Sequence, residues 1–442
     1  MSSAVHITGG TIVTMNAQRS ILEGDLLLDG GRIVAIGKVA APAGAKSVDA
    51  SGCIILPGLI QAHTHLCQTL LRGGADDLPL LAWLKKRVWP YEAALDEAAM
   101  RASVRLAVTE LLLGGTTAIL DMATVNETDA LFDEVAHSGL RAVIGKAMMD
   151  LGADVPDRLR ESTRAAIDSS DQLAKRWTGA ADGRIGYAYA PRFVPSCSQE
   201  LLEAVGARLK NGARVHTHAS EQVEEVELVR KERGDDNILY LAKVGITGPR
   251  ATLAHCVHAT AGEHQQLASS GTNVTHCPSS NLKLGSGVAP IPEMLALGIH
   301  VAIGADGAPC NNNLDVFVEM RLAALLPKPR LGADAMPATK VLELATLGGA
   351  RALGLEQEIG SLEIGKRADV LVVDPRAPHV TPSIDPVSTL VYAVQSRDVR
   401  HLFVDGRQLV ENGALTSISG LHVPDVLARA RTEASRVVAR TS

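Results

Sequence analysis

Two histidines two residues apart, His63 and His65, close an apolar run, Leu56–His65 (LPGLIQAHTH). In a β-strand, side chains at i and i+2 share a face, so both imidazoles converge at the carboxyl end of such a strand. That is the placement a pair of metal ligands needs, although two strand histidines can also be held simply by hydrogen bonds. The same kind of ending recurs. His216, His218 and Glu221 close the stretch RVHTHASE, His255 closes ATLAH, His276 closes TNVTH and Asp306 closes HVAIGAD. Any one of these polar ends reads as a capped core residue. Five apolar strands each ending in His or Asp point jointly to a metal centre, and imidazoles with one carboxylate and an open position suit catalytic Zn(II), with Fe(II) or Mn(II) as alternatives.

The elements that must position these residues form a regular rhythm. From Leu56 onward, apolar strands alternate with helical stretches: Thr116–Met122, Arg141–Asp150, Arg184–Arg192, Arg214–Ser220, Ala251–Val257, Thr272–Pro278 and His300–Asp306 follow the first, with helices between them up to about Leu353. Eight such strands predict an α/β fold of the (β/α)8 TIM-barrel type, with the polar strand ends gathered at one mouth. An open doubly wound sheet is the alternative, but no GxGxxG follows a strand. Both flanks are strand-rich, with β-branched alternation in His6–Asn16, Gly24–Gly37 and Lys46–Leu56 and again in Ala368–Asp374 and Arg400–Gly413. Three segments are therefore expected: residues 1–57 and 359–442 building one small β-sandwich domain, the latter ending in an amphipathic helix near 424–440, and residues 58–358 forming the barrel.

Bulk properties exclude other classes. The chain of 442 residues is 46% hydrophobic and 21% charged, with formal net charge −6. This is a globular composition with no basic footprint for nucleic acid. MSSAVHITGG lacks a charged start followed by an apolar run, so no signal peptide is expected, and no stretch suits a bilayer. Six scattered cysteines without CxxC spacing read as reduced, cytoplasmic thiols. Cys67 is expected to face the pocket and Cys256 to point away from it; neither has the neighbouring base a nucleophile needs. Broad barrel faces make a homo-oligomer plausible.

PGLIQAHTH, HASE at 218–221, AHC at 254–256, GADGAPCNNNLD at 304–315 and GSLEIGKRADVLVVD at 360–374 resemble the amidohydrolase superfamily, in the branch of adenosine-type and guanine deaminases and triazine hydrolases. Strand geometry does not choose between His216 and His218; the family's HxxE pattern does, in favour of His218 followed by Glu221. The resemblance implies one metal held by His63, His65, His218 and Asp306. Glu221 would protonate a ring nitrogen, His255 would orient the attacking hydroxide and Asp306 would accept its proton. No lysine ends the fourth strand, which disfavours the dinuclear variant of this site. The reaction implied is hydrolytic deamination of an adenine nucleoside of the 5′-deoxyadenosine, methylthioadenosine or adenosine type. Alternatives are a free purine or pterin base, or an s-triazine losing chloride or an amine, with a non-catalytic scaffold as the reading from another class.

The insertion Thr69–Glu92 resembles the loop that lines the nucleoside pocket in those deaminases. It implies that Trp83 contacts the substrate and Glu92 holds the ribose hydroxyls, against the bland reading of a core Trp and a solvated Glu. Two departures stand out. Arg192 occupies a place usually held by His, where it either contacts substrate or pairs with a carboxylate. Lys146 and Arg158 match positions where arginines receive an amino-acid carboxylate, and Lys in place of Arg loses the two-pronged contact. A small 5′ group or a different base is therefore expected. Asn281 is expected to cap a turn and Asn311–Asn313 to order the loop after the metal Asp.

Overall fold

The computed structural model describes residues 4–441; the outermost ends of the expected flanking segments, 1–3 and 442, lie outside the described residues. Eight parallel strands carry the centre of the molecule: β1 (Leu59–Thr64), β2 (Thr116–Met122), β3 (Arg141–Gly145), β4 (Ile185–Tyr187), β5 (Val215–Ala219), β6 (Ala251–His255), β7 (Asn273–His276) and β8 (His300–Ile303). They pair as two four-stranded sheets, ordered β4-β3-β2-β1 and β5-β6-β7-β8. Single parallel bridges join the sheets at both margins, Thr64 with Asp306 and Tyr189 with Val215. All residues of β1, β2, β3, β6 and β7 are buried, as expected where helices cover one face of a parallel sheet and side chains fill the other.

The expected strands near 141–150 and 184–192 are each broken. Two-residue extensions, Ala147–Met148 and Ala190–Pro191, pair with one another beyond β3 and β4. Between β5 and β6 stand two helices, Val223–Arg233 and Asn237–Lys243, separated where Gly234 takes φ 73°. The insertion after β1 winds into a short helical turn, Leu66–Leu71, and then into a helix over residues 80–94 that contains a π turn at Leu84–Val88. Such a turn changes which faces its two halves present.

The two flanks share one sheet. A nine-stranded sheet runs Ala414–Leu415, Arg407–Glu411, Val399–Val404, Val370–Val373, Ile54–Pro57, Val5–Val13, Ile21–Asp29, Arg32–Gly37, with Lys46–Asp49 also pairing Val5–Val13. The two chain ends are stitched where Val370–Val373 runs antiparallel to Ile54–Pro57. Ile7, Ile12, Leu26, Ile33, Val372 and Phe403 form a separate apolar core on this sheet. The closing helix, Val423–Thr441, packs on the helix Glu97–Leu113 and reaches Asp96 through Arg440 at 2.7 Å.

Candidate metal centre and active site

The carboxyl ends of β1, β5, β6 and β8 deliver the polar residues to one place. His63 and His65 come from β1, His218 from β5, and Asp306 from the turn just after β8. One ligand atom from each of these four lies within 4.8 Å of the others. The backbone at this rim is bent out of the extended region: Ser220, His255 and Asp306 take φ of 51°, 74° and 64°, which non-glycine residues adopt at a cost of about 1–3 kcal/mol. That cost is accepted where a side chain must be aimed.

Hydrogen bonding fixes which ring nitrogen each ligand presents. His65 Nδ1 donates to the Met122 carbonyl at 2.7 Å and His218 Nδ1 to the Arg192 carbonyl at 2.6 Å. A carbonyl only accepts, so both rings must carry their proton on Nδ1. His216 Nδ1 faces the Thr252 carbonyl at 3.2 Å, so its Nε2 is bare and receives the Nδ1 proton of His63 at 2.7 Å. All three ligand histidines therefore turn an unprotonated Nε2 inward. Nε2 of His65 and His218 stand 3.2 Å apart, and Asp306 Oδ1 lies 3.2 Å and 3.3 Å from Nε2 of His63 and His65. Converging acceptors repel unless a cation lies among them, and Nε2 of His63, fully buried, has no hydrogen-bond partner. Separations of this size are those between ligands about 2.0–2.1 Å from a shared centre. The donor set fits a divalent metal.

Electrostatics agrees. Burial holds His63 below its ordinary range, His65 down to about 4 and His218 well below, so the imidazoles stay neutral as metal ligands must be. Burial opposes ionisation of Asp306, but its carboxyl is held well below the usual range and stays an anion. Ser280 Oγ donates to Asp306 Oδ2 at 2.7 Å and the Gly307 N–H to Oδ1 at 2.7 Å. Glu221 is the opposite case. Burial, then Asp306 and Glu225, push its pKa well above the carboxylate range and keep it protonated. Its Oε2 lies 3.5 Å from Nε2 of His255, which is 3.8 Å from Asp306 Oδ2 and whose Nδ1 is anchored by Asn281 Oδ1 at 2.9 Å.

A narrow cavity opens on this cluster, walled by Leu80, Trp83, Leu84, Phe193 and Leu284 and by Arg192, with His65, His218, Glu221 and Asp306 at its polar end. Trp83 thus stands in the cavity wall. Glu92 is 1% exposed, outside the cavity wall, and bound bidentately by Arg192 at 2.7 Å and 3.1 Å. Lys146 pairs with Glu161, and Arg158, on the surface, with Glu127 at 3.4 Å; neither lines the cavity. His276 is buried and neutral, held down to about 3 by burial, and stays outside the ligand group. Cys67 and Cys256 are buried and absent from the wall. Asn311, Asn312 and Asn313 hydrogen-bond to Glu319, Asp76 and the Asp315 N–H, ordering the loop. Sequence reasoning missed Phe193, Leu80 and Leu284 in the wall, and the positioning of His255 by Asn281, of Asp306 by Ser280 and of His63 by His216. Of these, only His216 carried a signal, sharing a strand face with His218.

Strands delivering three histidines and an aspartate to one mouth, with an acid and a further histidine beside them, form a group that can hold a metal ion in the active site of a hydrolase. The chain belongs to the amidohydrolase family, whose model matches residues 54–409. It is 43% identical over 416 residues to a 5-methylthioadenosine/S-adenosylhomocysteine deaminase of Halobacterium salinarum, covering 93% of this chain and 94% of the relative. It is 38% identical to a 5′-deoxyadenosine deaminase of Methanosarcina acetivorans, with 99% of each chain covered. Among solved structures, an adenosine deaminase from Xanthomonas campestris with bound zinc superposes with TM-score 0.92 at 32% identity over 98% of both chains. A triazine hydrolase variant superposes at 0.91 with 27% identity, over 98% of this chain and 99% of that one.

Proposed function

We propose that this chain is a mononuclear metal-dependent deaminase of adenine nucleosides. It takes a substrate of the 5′-deoxyadenosine, methylthioadenosine or adenosine type, with water, to the inosine analogue and ammonia. The observation that carries the reading is the placement of Glu221 beside His255, both set against the His63, His65, His218 and Asp306 cluster under an apolar roof. Relatives 38–43% identical over nearly the whole chain act on such nucleosides by name. The pairing of the strands at both margins supports a closed (β/α)8 barrel over 58–358, and the two chain ends, 1–57 and 359–442, support one small sandwich beside it.

The metal is zinc by analogy with the zinc-bound neighbour. Held by the four ligands, it would supply the Lewis acidity that makes water a usable nucleophile at neutral pH. The protein's own groups do the rest. Asp306 Oδ2, free of the ligand side and held by Ser280, accepts the proton of the attacking water. Glu221 gives its proton to the ring nitrogen beside the attacked carbon, so the displaced electron pair is neutralised as it forms. His255, fixed by Asn281, stabilises the oxygen at the tetrahedral carbon. Asp306 then returns its proton to the departing amine, which leaves as ammonia as the C–N bond breaks, and the hydroxyl proton released as C=O forms passes to the Glu221 carboxylate and restores the acid. Trp83 and Phe193 offer aromatic faces for the base. Lys146 and Arg158 are already paired outside the wall, which supports a small, uncharged 5′ group. Buried, free cysteines support a reducing, cytoplasmic setting.

Ammonia release from metal-assayed protein tests the reading across adenosine, 5′-deoxyadenosine, methylthioadenosine, adenosylhomocysteine, guanine, 8-oxoguanine, cytosine and melamine-type triazines. Preference for the first three is expected. Turnover restricted to free bases or triazines would overturn the nucleoside assignment and leave the metal chemistry standing. One observation favours that second reading: Glu92 is buried behind the wall rather than open to a sugar.

A further inference from the structure

Glu92 and Arg192 form a buried unit whose hydrogen bonds can be counted in full. A carboxylate offers about four acceptor positions. Oε1 of Glu92 accepts from Gln68 Nε2 at 2.8 Å and from an Arg192 terminal nitrogen at 3.1 Å; Oε2 accepts from Thr124 Oγ1 at 2.8 Å and from the other terminal nitrogen at 2.7 Å. All four positions are used. Burial opposes ionisation of Glu92, but Arg192 overrides it and holds the carboxyl below its ordinary value, so it remains an anion matched to one cation. Arg192 is not saturated. A guanidinium has five N–H groups, two of these point at Glu92, and its side chain forms part of the cavity wall beside His218 and Glu221.

From this we infer that Arg192 is the member of the pair that touches substrate, donating to a neutral oxygen acceptor, and that Glu92 is a positioning residue acting through Arg192. In a nucleoside the acceptor is an oxygen of the ribose. The sign of recognition follows from charge and from lone-pair count. Glu92 has no acceptor left for a hydroxyl proton, while Arg192 has donors to spare. The pair is neutral overall, so the wall attracts an uncharged oxygen and gives a carboxylate or phosphate no net cation. Glu92 fixes the plane of the guanidinium in advance, and with it the direction of the remaining N–H groups.

This inference rests on the nucleoside-deaminase proposal only for the identity of the acceptor. Its test uses the metal-loaded enzyme, with the best substrate found for the wild type, and four variants: Arg192→Gln, Arg192→Lys, Glu92→Gln and the double Glu92→Gln/Arg192→Gln. Steady-state kinetics, melting temperature and metal content are measured for each. Each single variant strands a buried polar or charged partner and is expected to lower the melting temperature; the double variant, two neutral amides, is expected to recover it. KM should rise about 10- to 100-fold in Arg192→Gln and Glu92→Gln, the scale of a hydrogen bond from a charged group. It should stay raised in the double variant, no worse than in Arg192→Gln alone, with kcat changing less. Arg192→Lys, which keeps the charge and loses the fork, should fall between. Recovery of both KM and stability in the double variant would show a purely structural pair and overturn the inference. A KM that rises in Glu92→Gln but not in Arg192→Gln would return the substrate contact to Glu92, with the same effect. If the wild type prefers a base without a sugar, the nucleoside proposal fails by itself, and the same KM comparison on that base's oxo oxygen still decides the pair.

Discussion

The two ends of the same parallel strands solve opposite problems. At the amino end, β3 opens with Arg141, 3% exposed, whose guanidinium meets Asp369 at 2.8 Å and 3.0 Å and Asp405 at 2.5 Å, both acids supplied by the C-terminal flank. The Asp405 N–H also donates to Asp369 at 2.9 Å. Every charge there has an opposite charge within the protein. At the carboxyl end, three bare Nε2 atoms and a carboxylate oxygen face one another, and the balancing charge is not among the side chains. Both regions are buried and polar, so burial alone does not distinguish a strut from a site. What distinguishes them is whether the acceptors and donors balance. A balanced cluster holds the fold together, and an unbalanced one holds a place for something else.

The sharpest way to separate the two ends is to remove one acid from each. Glu221→Gln should lower kcat about 10²- to 10⁴-fold, the range of general acid catalysis, while melting temperature and metal content stay close to wild type; steady-state rates of ammonia release and calorimetry read both. Asp369→Asn should do the reverse. Leaving Arg141 with one uncompensated contact costs about 3–5 kcal/mol in urea unfolding, with kcat per folded molecule retained. Glu319 provides a pH test. Burial raises its carboxyl from the ordinary 4.5 to about 7, close beneath the site where it meets the Ser279 N–H at 3.1 Å. Because the folded pKa lies above the unfolded one, its stabilisation is complete below pH 4.5 and is lost as pH rises through 7. Unfolding free energy should fall by up to about 3 kcal/mol over that window, at about 1.4 kcal/mol per pKa unit. Glu319→Gln should flatten the slope. His216→Asn removes only the acceptor that sets the tautomer of His63, and is expected to weaken metal affinity about 10- to 100-fold by competition with a chelator. Arg158→Ala breaks an exposed pair and should move stability by less than about 1 kcal/mol, with no change in KM if the cavity wall is as drawn.

The His63, His65, His218 and Asp306 cluster was legible because strand periodicity is a strict rule: His63 and His65 share a face by spacing, and the HxxE pattern separates His218 from His216. The alternation of strand and helix was legible for the same reason, and so was the strand texture of the two flanks. What escaped was set by proximity in space. Arg192 and Glu92 stand a hundred positions apart, and no local pattern shows that they meet. Asn281 looked like a turn former, since its reach to His255 depends on how the loop after β7 folds back. Phe193, Leu80 and Leu284 enter the wall from three separate segments beyond the strand ends, where apolar residues carry no periodic signal. The breaks in β3 and β4 escaped too, since the added residues in 147–148 and 190–191 satisfy each other rather than the strands they extend.

The stitching of Ile54–Pro57 to Val370–Val373 has a consequence in time. During synthesis, the first flank leaves the ribosome with one edge of the inner strand Ile54–Pro57 unpaired, and the partner for that edge is made only after the whole central region. At about 5–20 residues per second that interval is on the order of 15–60 s. Throughout it, a strand with four buried apolar or proline positions waits as an open edge, the feature that invites pairing with another chain. A nascent chain cut before residue 370 would keep His63, His65, His218 and Asp306 and lose its seal, so truncation from the C-terminus is expected to yield aggregation before it yields an inactive but well-folded enzyme.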